Sequence, residues 1–105
     1  MVRGEIYRLR LPSSGGREQR GARYGVIVQA DELLGLSTAL VAPTSRSARP
    51  ATFRPEIELA DERTRILVEQ VRAVDVQRLD ALVGRLDAAE QRAVDDALEL
   101  VLALR

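Results

Sequence analysis

The 105-residue sequence contains no cysteine, no histidine and no lysine. Without cysteine the chain can form neither a disulfide framework nor a thiolate zinc site, which is compatible with a reducing compartment. The lack of histidine removes the side chain that most often acts as an acid or base near neutral pH and most often binds metals. No apolar run is long enough to span a membrane, and Arg8 and Arg10 interrupt any apolar core of a signal peptide. From this size and composition we expect one cytoplasmic domain, residues 1–105.

Arginine supplies all 16 basic residues, and 16 acids balance them, yet the charges are unevenly distributed. Residues 1–54 contain nine arginines and four acids, whereas residues 55–105 contain seven arginines and twelve acids. A guanidinium is a planar fork that suits bidentate contact with phosphate. The basic first half is therefore compatible with a polyanionic partner, although folding could equally intermix the two halves in space.

Hydrophobic periodicity predicts a series of short strands separated by polar turns. The predicted strands cover residues 5–11, 24–29, 38–42 and 53–59, with one or two more within residues 65–74. The continuous Val26-Ile27-Val28 run suggests burial on both faces of its strand. Pro55 favours an edge position because it cannot donate to a ladder. Between the strands, residues 12–22 and 46–50 are predicted loops and residues 31–34 a short helical turn.

The C-terminal part predicts one helix. Asp87, followed three residues later by Glu90, has the pattern of a capping box. An apolar stripe follows at Val94, Leu98, Val101 and Leu102. Residues 76–86 are ambiguous, because their apolar positions fit a helical stripe while Gly84 weakens a helix. Short strands and one terminal helix together predict a mainly β fold, a small and partly open β-barrel with a C-terminal α-helix.

Several short segments occur in a particular order along nearly the whole chain. They are Arg3-Gly4-Glu5-Ile6-Tyr7, Gly16-Arg17-Glu18-Gln19, Arg23, Val26-Ile27-Val28, Ala42-Pro43-Thr44-Ser45, Glu69-Gln70-Val71 and Gly84-Arg85-Leu86. None is specific alone, but in this order and spacing they resemble the MazF/PemK family of toxin endoribonucleases. The resemblance implies an SH3-like barrel, a homodimer and sequence-selective cleavage of single-stranded RNA without metal or cofactor. It also implies neutralisation by a cognate antitoxin whose disordered tail occupies the RNA groove.

The implied reaction is attack of a ribose 2′-OH on the adjacent phosphate, which leaves a cyclic phosphate and a 5′-hydroxyl. Arg23 could stabilise the extra negative charge on the phosphate, because its guanidinium group offers several hydrogen-bond donors and does not readily lose a proton. The assignment of Thr44 rests on the resemblance; its hydroxyl would hold a phosphoryl oxygen, and Ser45 would assist. Glu18 is the only acid in its basic loop and is the candidate base, unless it only pairs with a neighbouring arginine.

Further residues are expected to contact the RNA around these catalytic candidates. The expected contacts are Arg17, Gln19, Arg20, Arg46 and Arg49, the arginines giving salt-dependent affinity through the backbone. Tyr24 departs from the family pattern, which usually has proline directly after the catalytic arginine. Its ring would stack on a base or fill a core position.

Two other functions remain open on the sequence. A gyrase-inhibiting toxin family shares this barrel, but that activity resides in an aromatic terminal peptide, whereas this chain ends in Ala103-Leu104-Arg105. The third possibility is a non-catalytic barrel that binds RNA or peptide, in which Tyr24 accompanies lost activity.

Overall fold

The computed structural model describes residues 1–10 and 23–104. Within these residues the chain forms a mainly β fold with one C-terminal helix, as the sequence predicts. The elements are β1 (Glu5–Leu9), β2 (Tyr24–Ile27), β3 (Thr38–Ser45), β4 (Glu56–Leu59), β5 (Glu62–Ile66), β6 (Arg72–Asp75), β7 (Leu79–Arg85) and α1 (Ala88–Val101). Three short 3-10 turns cover Asp31–Leu33, Val68–Gln70 and Val76–Arg78.

The described strands form one antiparallel sheet in the order β4-β5-β3-β2-β1-β7, with β6 also paired to β3. The long strand β3 changes partner along its length: Thr38 to Val41 pair with β6, and Thr44 and Ser45 pair with β5. Because one strand belongs to both parts of the sheet, the sheet curls into a half-barrel. The predicted small, partly open barrel is confirmed.

The centre of the sheet is buried on both faces. Val26 belongs to a hydrophobic cluster that includes Ile66 of β5 and Val94 of α1. The next residue, Ile27, points to a second cluster on the other face, together with Val41. These side chains are at most 1% exposed. The burial on both faces predicted for this strand is therefore confirmed.

The structure corrects several predicted strand limits. β1 and β2 are shorter than expected, ending at Leu9 and Ile27. β3 extends three residues beyond its predicted end at residue 42, because β5 supplies partners for Thr44 and Ser45. β4 begins only after Pro55, although its predicted edge position is correct.

Two apolar segments adopt a structure that periodicity alone does not identify. Val68 lies in a 3-10 turn between β5 and β6 rather than in a strand. The ambiguous segment 76–86 is a 3-10 turn followed by strand β7, paired with β1 in an irregular register. Leu82 of this strand is 52% exposed, so the apolar residues of β7 do not form a buried face.

Helix α1 has the predicted capping box. The Asp87 carboxylate accepts a hydrogen bond from the Glu90 N–H at 2.7 Å, and the Glu90 carboxylate accepts one from the Asp87 N–H at 2.9 Å. Val94 is fully buried and Leu98 packs against the same cluster, whereas Leu102 lies beyond the helix and is 51% exposed. The apolar stripe thus ends before its predicted last member. No helix in the described ranges is long and apolar enough to cross a membrane.

Candidate active site

An open pocket of about 390 Å³ lies where three elements meet at one end of the half-barrel. Tyr24 starts β2 and Arg23 directly precedes it, and the end of β3 with the bend after it contributes residues 44–47. The hairpin that joins β4 to β5 forms the remaining wall. Its lining residues are Leu59, Ala60, Glu62 and Thr64.

Strand register brings Arg23 and Thr44 to the same pocket. In the β2–β3 pair Gly25 lies opposite Pro43, so the antiparallel register continues to Tyr24 beside Thr44. The Thr44 hydroxyl donates to the Tyr24 carbonyl at 3.4 Å. On its other side, the Arg23 carbonyl accepts from the Leu9 N–H at 2.8 Å, which ties its backbone to β1. The Arg23 side chain is exposed and faces the pocket from a fixed backbone.

The last residue of β3 and the bend after it carry two more hydroxyls and a second guanidinium. Ser45 Oγ accepts from the Ser47 N–H at 3.3 Å, a local turn bond that closes the bend. Arg46 at the centre of this bend forms a salt bridge across the pocket with Glu62 of β5. The bend and the hairpin are thereby joined at the mouth of the pocket.

The charges and hydroxyls of this pocket suit a phosphodiester. Its charged lining residues are Arg23, Arg46 and Glu62, and its serine and threonine residues are Thr44, Ser45, Ser47 and Thr64. Guanidinium groups bind phosphate oxygens and stabilise charge that develops on them, while hydroxyl groups donate hydrogen bonds to the same oxygens. The described residues contain no group of three or more Asp, Glu, His or Cys side chains that could hold a metal ion.

Comparison with known proteins identifies the family. The model of the family described as "PemK-like, MazF-like toxin of type II toxin-antitoxin system" matches residues 2–102. The chain belongs to this toxin family. It is 37% identical over 106 residues, 99% of each chain, to a Mycobacterium tuberculosis protein named as a candidate toxin. It is 34% identical over 109 residues to the endoribonuclease EndoA of Bacillus subtilis, covering 97% of this chain and 94% of EndoA.

Solved structures agree with the toxin fold. A mycobacterial endoribonuclease in complex with its cognate antitoxin matches 100% of this chain and 97% of its own with a TM-score of 0.82 and 18% identity. The Mycobacterium tuberculosis toxin MazF-mt6 matches 96% of this chain and 98% of its own with a TM-score of 0.79 and 17% identity. At this identity the likeness shows a shared fold.

Of the remaining predicted site residues of the toxin, the structure describes only Arg49. Arg49 is exposed and does not line the pocket; its carbonyl accepts a hydrogen bond from Arg54 at 3.0 Å. The candidate base Glu18 and the predicted RNA contacts Arg17, Gln19 and Arg20 fall outside the described residues. Those assignments remain predictions.

The hairpin wall of the toxin's pocket is the part that sequence reasoning missed. The tight turn of this hairpin lies at Ala60 and Asp61, which both have positive φ angles. Glu62 starts β5 directly after it and reaches back toward Arg46. In the sequence, the segments on both sides of this turn alternate between apolar and polar residues, a pattern that indicates a hairpin. Its position beside the end of β3 depends on long-range pairing.

Proposed function

We propose that this toxin is an endoribonuclease that cleaves single-stranded RNA without metal or cofactor. The observation that carries the proposal is the pocket lined by Arg23, Thr44 and Ser45. It occurs in a chain that is 34% identical to an endoribonuclease over 97% of its length. Guanidinium and hydroxyl groups on one open surface are what binding of a phosphodiester requires.

The proposed chemistry is attack by a ribose 2′-OH on the adjacent phosphate, with cyclic phosphate and 5′-hydroxyl products. Arg23 stabilises the charge that builds on the phosphoryl oxygens, since a guanidinium stays protonated and cannot serve as the base. The Thr44 hydroxyl exchanges its long hydrogen bond to the Tyr24 carbonyl for one to a phosphoryl oxygen, and Ser45 assists. Glu18 remains the proposed base. Tyr24, beside Arg23 in the pocket, offers a ring on which a base can stack.

We further propose that the 105 residues act as one domain in the cytoplasm, as a homodimer neutralised by a cognate antitoxin. The antitoxin is supported by the description of the family as toxins of type II toxin-antitoxin systems, and by the shared fold of a mycobacterial endoribonuclease in complex with its own antitoxin. The homodimer rests on the resemblance to the family, and the single cytoplasmic domain on the size and composition of the chain. The arginines Arg17, Arg20, Arg46 and Arg49, with Gln19, extend the proposed path of the RNA. Their phosphate contacts make binding weaken as salt concentration rises.

The test uses purified protein and mixed single-stranded RNA in EDTA. We expect cleavage by the wild type and a loss of kcat of about a hundredfold or more in Arg23→Ala, as for removal of an oxyanion-stabilising donor. Thr44→Val keeps the branched shape and removes the hydroxyl, so we expect a loss of about tenfold, equivalent to one hydrogen bond.

Arg92→Ala is the matched control, because Arg92 is exposed on α1 and does not line the pocket. It should cleave like the wild type. Lack of cleavage by the wild type would refute the enzyme assignment. Full cleavage by both Arg23→Ala and Thr44→Val would instead refute the assignment of the site.

A further inference from the structure

The segment that carries Arg46 and Ser47 into the pocket has no strand or helix of its own. We call residues 46–52 the rim loop; they follow β3 and lie in bends, turns and irregular backbone. Backbone carbonyls of such a loop need hydrogen-bond donors from elsewhere. Two consecutive carbonyls of the rim loop, those of Ala48 and Arg49, receive them from arginine side chains.

Each of these two arginines binds a carbonyl and a carboxylate at once. Arg65 on β5 donates from Nη1 to the Ala48 carbonyl at 3.1 Å and from Nη2 to the Glu56 carboxylate at 3.0 Å. Arg54 donates from Nη1 to the Arg49 carbonyl at 3.0 Å. Its Nε and Nη2 both donate to one oxygen of Glu69, at 3.1 and 2.7 Å. A planar fork with several donors can hold two acceptors in fixed positions, which the single ammonium of lysine cannot do equally well.

The Arg54–Glu69 pair is more enclosed than an ordinary surface ion pair. The two side chains are 22% and 24% exposed. The hydrogen bonds from Arg54 hold the pKa of Glu69 below its usual value even though burial acts in the opposite direction. The guanidinium also lies 5.6 Å from the centre of the Phe53 ring. Exposed ion pairs contribute little to a fixed geometry, but this one is partly buried and two hydrogen bonds from Arg54 converge on one Glu69 oxygen.

We propose that Arg54 and Arg65 are positioning residues that hold the rim loop, and with it Arg46, in the conformation that receives RNA. Glu69 and Glu56 anchor the two guanidinium groups. This inference rests on the proposed endoribonuclease function and assigns a role to residues that do not line the pocket themselves.

Release of the rim loop should affect RNA binding more than the chemical step. Arg23 is held by its backbone bond to β1, and Thr44 by the pairing of β3 with β2 and β5; none of these backbone contacts involves the rim loop. A mobile loop must become ordered when RNA binds, and ordering one long side chain lowers affinity by about three- to tenfold. We therefore expect Arg54→Met to raise KM for RNA by about three- to tenfold at nearly unchanged kcat.

Two readouts and a second variant separate positioning from general loss of stability. Arg54→Met leaves the Glu69 charge without its main partner, so the variant will also be less stable. Arg54→Met/Glu69→Gln removes both charges and should recover much of that stability, yet the Arg49 carbonyl still lacks its donor. Hydrogen exchange of the amides of residues 46–52 should be accelerated in both variants. Arg92→Met, on the exposed face of α1, is the control for the same substitution.

The outcomes are distinct. The proposal predicts that the raised KM persists in the double variant, together with rapid exchange confined to the rim loop. A KM that returns to the wild-type value with recovered stability would overturn it, as would rim-loop exchange that is unchanged in Arg54→Met. Absence of RNA cleavage by the wild type would instead refute the proposed function on which this role depends.

Discussion

Glu62 places a negative charge on the wall of a pocket that we propose binds RNA. Its carboxylate is paired with Arg46, and both side chains are more than half exposed. An incoming phosphate must compete with this carboxylate for the guanidinium. The pair therefore reduces the positive charge that Arg46 can offer to RNA.

Removal of this charge should strengthen RNA binding. We expect Glu62→Gln to bind a labelled 2′-O-methyl single-stranded RNA several-fold more tightly. We also plot the logarithm of the RNA association constant against the logarithm of the salt concentration. The slope of this plot should be more negative by about 0.7, as for one added phosphate contact. Fluorescence anisotropy over a series of salt concentrations measures both quantities.

Glu58→Gln is the matched control, because Glu58 is exposed on β4 of the same hairpin and does not line the pocket. It should leave the salt dependence unchanged. An equal gain in Glu58→Gln would show a general charge effect and contradict the role given to the ion pair. The same role would be contradicted if Glu62→Gln still strengthened RNA binding in a variant in which Arg46 is also replaced by Gln.

At the scale of residues, the site is predictable where it lies on paired strand ends. Arg23, Thr44 and Ser45 follow from the resemblance, and Tyr24 from its place next to Arg23. The β2–β3 register brings the four residues together. Glu62 could not be predicted as their neighbour, because its hairpin meets the pocket only through pairing of β5 with the end of β3. Such pairing between distant segments leaves no periodic signal in the sequence.

At the scale of elements, local patterns identify some structures and not others. Helix α1 is predictable because its cap and its apolar stripe are both encoded locally. Strand β7 is not, because it is a poorly buried strand at the end of the sheet and its spacing of apolar residues fits a helix equally well. The extension of β3 through Pro43 also depends on a partner, since the Pro43 carbonyl accepts from the Leu67 N–H at 2.8 Å.

The cap of α1 gives a prediction about stability alone. Asp87→Ala should lower the free energy of unfolding by about 1 kcal/mol, because the N–H of Glu90 loses its acceptor. Urea unfolding followed by circular dichroism measures the change. Asp87→Asn keeps a capping oxygen and should lose far less. If Asp87→Asn is as unstable as Asp87→Ala, the cap is not the source of the effect.

At the scale of the whole molecule, a buried carboxylate joins the first and last strands of the described sheet. The Glu5 side chain is 7% exposed and accepts hydrogen bonds from the donors around it. These donors are the Val2 N–H at 2.7 Å, the Tyr7 hydroxyl at 2.9 Å and Arg85 Nη2 of β7 at 2.8 Å. Burial raises the pKa of Glu5, but the hydrogen bonds outweigh it and hold that pKa below its usual 4.5.

Acid should therefore destabilise the fold through Glu5 and Glu69. Both carboxyl groups have a folded-state pKa below the unfolded value, so their stabilisation is complete above about pH 4.5 and is lost as pH falls through the folded pKa. Urea midpoints measured from pH 6 downward should decline below this point. Glu5→Gln should be less stable at neutral pH, and its urea midpoint should decline less steeply as the pH falls. A decline as steep as that of the wild type would contradict the contribution of Glu5 to acid destabilisation.

We propose that this toxin cleaves RNA by attack of a 2′-OH within the pocket formed by Arg23 and Thr44. The most direct measurement is mass spectrometry of the products from one single-stranded RNA and its fully 2′-O-methylated counterpart, both incubated with the wild type in EDTA. We predict cyclic phosphate and 5′-hydroxyl ends from the unmodified RNA and no cleavage of the methylated one. Cleavage of the methylated RNA, or 5′-phosphate ends from the unmodified RNA, would contradict the account.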